Sequence, residues 1–237
     1  MSPDHFEGPL RAATYNIHSW RGRDNRLDPQ RIFRVIAALD ADILALQEVV
    51  SPQRAGAPCS LREVAAELGY HVTFGQTLLR ADTRYGNGLL SRTLPEQVER
   101  HDLSVPGREP RGALECRFRL NGLTVKTVTT HLGLKRRERM AQMRRLAPLL
   151  GKGDADATLL MGDFNDWFAW SGLRRDLQAL AGRQPTPRTF PAGRPLLALD
   201  RILVTPKQRL VSLAAPKEAG ASGASDHLPL LAEIDIA

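Results

Sequence analysis

Short apolar runs of strand length recur along the whole chain, and most of them stop at a polar or ionisable side chain. Leu10–Ile17 closes on Asn16-Ile17-His18, Asp42–Val50 delivers Gln47-Glu48, and Leu123–Thr130 stops at His131. Ala157–Met161 runs into Gly162-Asp163-Phe164-Asn165, Leu199–Val204 carries Asp200 near its start, and Leu228–Ile236 begins just after Ser225-Asp226-His227. Apolar runs of this length between turn residues read as buried strands. A chain built from them must pair its strands into sheets and cover the sheet faces, which excludes an all-helical fold.

Local signals fill in the rest. Leu114, Cys116, Phe118 and Leu120 alternate with Glu115, Arg117 and Arg119, the pattern of a half-buried strand. Asn121-Gly122 then supplies a two-residue hairpin turn into Leu123. Ile32, Val35, Ile36 and Leu39 form one helical stripe behind an Asp28 N-cap and Pro29 at the first helical position. Ser60 and Glu63 predict a capping box for a helix ending at Gly69. Lys135–Leu150 reads as a helix with Met140, Met143, Ala147 and Leu150 on one side, its last turn disturbed by Pro148. Strands and helices alternate irregularly and one hairpin is clear. The fold class expected is α+β, with a mixed sheet and helices, not a regular parallel barrel. No repeat, low-complexity tract or linker interrupts the pattern, so residues 1–237 are expected to form a single domain.

Composition narrows the partners only slightly. The formal net charge of +7 is mostly arginine. It suits nucleic acid, phospholipid surfaces or phosphorylated small molecules, and equally a drift in composition toward Arg. Cys59 and Cys116 are the only cysteines and belong to no metal-spaced pair, which argues against a structural zinc. Cys116 falls at an apolar strand position and reads as core. The opening residues show no signal peptide, and no apolar stretch is long enough to span a membrane, so a cytoplasmic location is expected.

Asn16, Glu48, His131, Asp163, Asn165, Asp226 and His227 all sit at the edge of an apolar run. Taken singly, each has an ordinary structural reading: Asn16 closing a turn, Glu48 a solvated strand end, Asp163, Asn165 and Asp226 capping the next segment. Strand ends, however, converge on one rim of a sheet. A rim carrying carboxylates, amides and imidazoles is a candidate hard-metal and acid/base site.

The order of these stretches resembles the endonuclease/exonuclease/phosphatase superfamily. The matching segments are Thr14-Tyr15-Asn16-Ile17-His18, Leu46-Gln47-Glu48-Val49, Thr130-His131-Leu132, Gly162-Asp163-Phe164-Asn165, Leu199-Asp200-Arg201-Ile202 and Ser225-Asp226-His227-Leu228-Pro229. Gly86-Asn87-Gly88-Leu89-Leu90-Ser91-Arg92 also looks like a central strand of that family. The resemblance implies a four-layer α/β/β/α sandwich with two packed mixed sheets, and Mg²⁺ or Mn²⁺ at the sheet rim. Glu48 matches the principal metal ligand, with Asn16 and Asp226 near the metal. Asp163 and Asn165 match the pair that positions the attacking water and contacts the phosphate. His227 matches the acid/base histidine and Asp200 its orienting carboxylate. His131 matches a second histidine, at the phosphate or the leaving group. Two departures stand out: His18 occupies a position where AP endonucleases carry an acidic residue, and no insertion resembles their DNA-wedging loops.

The implied function is metal-dependent hydrolysis of phosphate esters, with a phosphodiesterase acting on a lipid or small molecule preferred. A DNA or RNA endonuclease or exonuclease is the first alternative, and a non-catalytic binding domain on the same fold the second. Arg139, which with Gln142 resembles a family pattern, and Arg111 are candidates to bind the substrate phosphate; for Arg111 a surface position is the preferred reading. Trp167-Phe168-Ala169-Trp170 reads either as core or as an apolar lip that stacks a base or dips into lipid.

Overall fold

A computed structural model describes residues 8–52, 60–80, 82–151, 155–167 and 172–237. Cys59, Phe168, Ala169 and Trp170 lie outside the described residues. One six-stranded sheet has the order β10-β11-β1-β2-β4-β3 and one five-stranded sheet the order β5-β6-β7-β8-β9. The strands are β1 Leu10–Asn16, β2 Ile43–Pro52, β3 His71–Arg80, β4 Thr83–Ser91, β5 Gln97–Asp102 and β6 Gly112–Leu120. They continue as β7 Leu123–His131, β8 Ala157–Asp163, β9 Asp200–Thr205, β10 Leu210–Ala214 and β11 Leu230–Ile234. The helices are α1 Pro29–Leu39, α2 Leu61–Leu68, α3 Arg136–Leu146, α4 Gly172–Ala181 and a single turn, α5, at Ala221–Ala224.

Three apolar layers hold four structural layers together. Leu10, Ile43, Leu89, Leu114, Phe118, Leu159, Ile202 and Leu230 interdigitate between the two sheets. The stripe Ile32, Val35, Ile36 and Leu39 of α1, with Leu61 and Val64 of α2, covers Tyr15, Leu44, Leu46 and Leu90 on the outer face of the larger sheet. Met143 and Leu146 of α3, with Leu173 and Leu177 of α4, cover Val128, Leu160 and Leu203 on the smaller one. This is the α/β/β/α sandwich. Both sheets are mixed, with β1–β2 and β7–β8 parallel and the other pairs antiparallel.

Several local expectations need correction. Asp28 stands at the N-cap of α1 but makes no capping bond, because its carboxylate is drawn to Arg31 Nε at 3.0 Å. Ser60 likewise makes no side-chain capping bond. The helix after His131 ends at Leu146, and Ala147–Leu150 forms a tighter turn that begins beside Pro148. Its buried face is half polar, carrying Glu138, Arg139 and Gln142 with Met143 and Leu146, so the expected methionine stripe describes only part of it. Glu115 is buried despite its outward-alternating position, bonded to His101 at 3.1 Å and Arg117 at 3.0 Å.

Parallel pairing explains where the polar strand ends meet. In β1–β2, Asn16 lies opposite Gln47; in β7–β8, His131 lies opposite Asp163. Parallel strands end on the same side, and β1 packs against β8 across the sandwich. The C-terminal ends of both pairs therefore open onto one rim. Antiparallel β9 brings Asp200 directly opposite Asp163 on that same rim.

Candidate active site

Two backbone irregularities aim the rim residues. The register of β2 against β4 shifts between Leu46 and Val49, and Glu48 within this bulge has φ +57°. A bulge of this kind re-aims a side chain. Gly162 has φ +145°, and a Cβ there would lie 1.8 Å from the carbonyl oxygen of Thr130. Only glycine allows β8 to approach β7 so closely just before Asp163.

Asp163 is the hub. Its Oδ2 accepts from Asn16 Nδ2 at 3.1 Å, and its Oδ1 accepts from the backbone N–H of Asn165 at 2.8 Å. The same Oδ2 lies 3.7 Å from His227 Nε2 and 3.5 Å from His131 Nε2. On its other side, His227 Nδ1 bonds Asp200 Oδ2 at 2.9 Å. Burial works against the imidazolium of His227, but the charges of Asp200, Asp163 and Asp226 and the Asp200 hydrogen bond prevail and push its pKa up to about 10. Phe190 packs on this ring, with centroids 4.9 Å apart, and Trp167 lies beyond Phe190 at 6.5 Å.

His131 is driven the opposite way. Burial and then the Arg111 guanidinium beside it lower its pKa to about 3, against the charge of Asp163. Arg111 Nη1 stands 3.0 Å from His131 Nδ1 and 3.3 Å from Glu109 Oε1. Arg111 is buried, which corrects the reading of a surface arginine. Its backbone is pinned from both sheets: the carbonyl of Gly112 accepts from Asn87 of β4 and from Thr130 of β7, each at 3.1 Å. Asn165, with φ +50°, donates from Nδ2 to the carbonyl of Leu132 at 2.9 Å.

Glu48 and Asn16 bond at 3.1 Å. Burial first, and then the charges of Asp163 and Asp226, hold the Glu48 carboxyl above the usual carboxylate range despite the Asn16 bond. Three carboxylates, Glu48, Asp163 and Asp226, thus lie close enough to feel one another's charge, with Asn16 between the first two. Glu48 and Asp226 offer hard oxygen donors of the kind that bind a divalent cation, while Asn16 turns its NH2 group to Glu48 and Asp163 and accepts at Oδ1 from the backbone N–H of His18 at 3.0 Å. Asp163, Asp200 and His227 also present ligand atoms within 4.8 Å of one another. The Asp200–His227 hydrogen bond within this trio is also the geometry of a carboxylate that orients an imidazole. His18 Nδ1 stands 3.8 Å from Asp226 Oδ1, beside the expected metal ligands.

Asn16, Glu48, His131, Asp163, Asn165, Asp200, Asp226 and His227 are brought together, and Arg111 joins them through His131. Arg139 is placed differently. Its guanidinium donates to the carbonyls of Gly133 and Leu134, at 3.3 and 2.7 Å, and lies 3.7 Å from Asp166. It ties the loop after His131 to the loop after Asn165. Gln142 supports the same loop by accepting from the N–H of Gly133 at 2.8 Å. Sequence reasoning missed Tyr85, which feels the charges of both Glu48 and Arg111, and Phe190. The first is a turn-proximal strand residue and the second lies in a proline-rich loop, so neither carried a periodic signal.

Known proteins share this sequence pattern and this architecture. A sequence model described as the Endonuclease/Exonuclease/phosphatase family matches residues 13–227. The chain is 31% identical over 248 aligned positions to the uncharacterised protein YbhP of Escherichia coli K12, covering 96% of each chain. The crystal structure of an endonuclease/exonuclease/phosphatase from Beutenbergia cavernae superposes with TM-score 0.75 at 23% identity, over 96% of this chain and 72% of that one. The human Nocturnin catalytic domain, solved with a bound sulfate anion, superposes with TM-score 0.73 at 18% identity, over 96% of this chain and 93% of that one.

Proposed function

The chain belongs to the Endonuclease/Exonuclease/phosphatase family, and on that footing we propose that it is a metal-dependent hydrolase of phosphate esters, a phosphodiesterase of a lipid or small molecule. The observation that carries the reading is the Asp200–His227–Asp163 chain of contacts, at 2.9 and 3.7 Å, beside Glu48. Hydrolysis of a phosphate ester builds negative charge on the phosphoryl oxygens and on the leaving oxygen. The carboxylates of Asp200, Asp163 and Asp226 favour the imidazolium of His227, which makes it a cation facing that charge. Asp163 orients the attacking water. Asp200 fixes the ring so that Nε2–H points into the cleft. Asn165 and His131 donate to phosphoryl oxygens. Mg²⁺ or Mn²⁺ held by Glu48, Asp226 and Asn16 would neutralise charge on those oxygens.

An exposed apolar rim supports a substrate with an apolar part. Trp167 is 51% exposed two residues after Asn165, and Leu134 is 62% exposed three residues after His131. The nuclease reading draws on the net charge of +7. The filled catalytic positions speak against a silent binding domain. Assaying supercoiled DNA, bis-p-nitrophenyl phosphate and phospholipid vesicles side by side, with Mg²⁺ and with Mn²⁺, separates these readings. Turnover of the small diester or the phospholipid with intact DNA is expected; DNA cleavage as the dominant activity would replace this substrate assignment with the nuclease one.

A further inference from the structure

We propose that Arg111 is a positioning residue that locks His131 as the neutral tautomer with its proton on Nε2, so that His131 acts as a hydrogen-bond donor and not as an acid. A guanidinium can only donate: arginine has five N–H donors and no acceptor. At 3.0 Å from Nη1, His131 Nδ1 must therefore present its lone pair. A proton on Nδ1 would place the positive end of an N–H dipole against a buried cation. With Nδ1 an acceptor and the ring neutral, the proton sits on Nε2, the nitrogen that faces Asp163 Oδ2 at 3.5 Å.

The surroundings hold Arg111 in place on several sides. Its side chain is buried, its charge is balanced by Glu109 at 3.3 Å, and its backbone is held through Gly112 from both β4 and β7. The charged groups facing His131 are Arg111 and His227, which oppose protonation, and Asp163, which favours it. Asn165 supplies the one competing interaction. Its Nδ2, 3.0 Å from Nε2, is itself a donor and would favour a lone pair there. That amide has one proton on Leu132 O and a second still to give, but a neutral amide–imidazole contact is weaker than one to a guanidinium, and Asp163 Oδ2 offers an Nε2–H an acceptor. Arg111 therefore decides the tautomer.

The consequence is a division of labour. His227 faces carboxylates at both ring nitrogens, while His131 enters neutral and offers Nε2–H to a phosphoryl oxygen. The donor role rests on the phosphate-ester reading above; the tautomer does not. The test therefore needs no substrate. The full chain labelled with ¹⁵N at its six histidines is followed by long-range ¹H–¹⁵N correlation from about pH 8 to about pH 5, across the ordinary histidine pKa of about 6.5. His131 is assigned by the cross-peaks that His131→Gln removes.

In the wild type, Nε2 of His131 should resonate as a protonated nitrogen and Nδ1 as an unprotonated one throughout that range. Arg111→Lys, which keeps a cationic donor, should preserve the pattern. Arg111→Met should release it, giving mixed tautomers, while an unchanged thermal unfolding midpoint shows that the fold is intact. A wild-type His131 that is protonated on Nδ1, or charged at neutral pH, overturns the proposal without any variant. A wild-type pattern in Arg111→Met overturns it as well, because the Asp163 contact at Nε2 would then set the tautomer without Arg111.

Discussion

His227 and His131 both lie within 3.7 Å of one oxygen, Oδ2 of Asp163, yet their neighbours drive them to opposite protonation states. One faces carboxylates on both ring nitrogens and the other a guanidinium. The Asp200 contact makes two predictions for His227. His227→Ala should lower kcat by on the order of 10²-fold or more, the usual size for a positioned acid/base group. Asp200→Asn should take a large part of the same loss, and the double mutant far less than the product of the two, since the pair acts as one unit. Steady-state rates of the three variants on one diester decide this; multiplicative losses would mean the pair is misassigned. The second prediction concerns pH. Between about 6.5, the ordinary value, and about 10 the folded chain holds a proton on His227 that the unfolded chain lacks. Stability from the pair is thus complete below about 6.5 and is lost as pH rises toward about 10. Urea unfolding should show Asp200→Asn most destabilised relative to wild type at the acid end of that window, with the gap closing toward the alkaline end. The apolar runs beside them marked Asp200 and His227 as candidate site residues, but their pairing was legible only through the family resemblance. The Arg111–His131 contact was not, since Arg111 sits in Glu109-Pro110-Arg111-Gly112, where no periodicity marks a buried side.

The strands that carry the site are the ones most plainly written in the sequence, for a physical reason. β1, β2 and β8, and the edge strand β9, are buried over most of their length and read as largely apolar runs, whereas β7 is as buried but carries Lys126 and four threonines. β3, β5 and β10 are edge strands with polar, partly exposed residues and gave no clear signal. The bulge at Glu48 was equally hidden, because nothing in Leu46-Gln47-Glu48-Val49 distinguishes a bulge from regular pairing. Asn121-Gly122 was legible because two consecutive positive φ values, +49° and +78°, demand residues of that type. At this scale Gly162 is the most exacting position. Gly162→Ala places a methyl group against Thr130 O in a backbone conformation unfavourable to alanine. It should cost more than about 4 kcal/mol or prevent folding. Thermal unfolding checks this, and a variant within about 1 kcal/mol of wild type would show that β7 and β8 can separate freely.

For the whole molecule, four layers place one strand end from each parallel pair at the same rim, and the site exists only because both sheets are assembled. The layered architecture was accessible from the resemblance, not from periodicity, which predicts strands and helices but not which sheet each joins. No helix among the described residues is long and apolar enough to cross a membrane. The proposed cation site is where assembly and chemistry meet, because Asn16, Glu48 and Asp226 come from β1, β2 and the turn before β11. Glu48→Gln should leave the unfolding transition nearly unchanged while weakening Mn²⁺ binding, read by calorimetry, at least about tenfold; undiminished affinity would move the metal elsewhere. The most direct test of the central claim is hydrolysis of bis-p-nitrophenyl phosphate by the wild type and by His227→Ala, each with EDTA and after returning Mg²⁺ or Mn²⁺. The expected result is nitrophenolate release by the wild type that vanishes in EDTA and returns with the metal, and that stays on the order of 10²-fold lower in His227→Ala. Release that persists in EDTA, or a near-normal rate in His227→Ala, would contradict it.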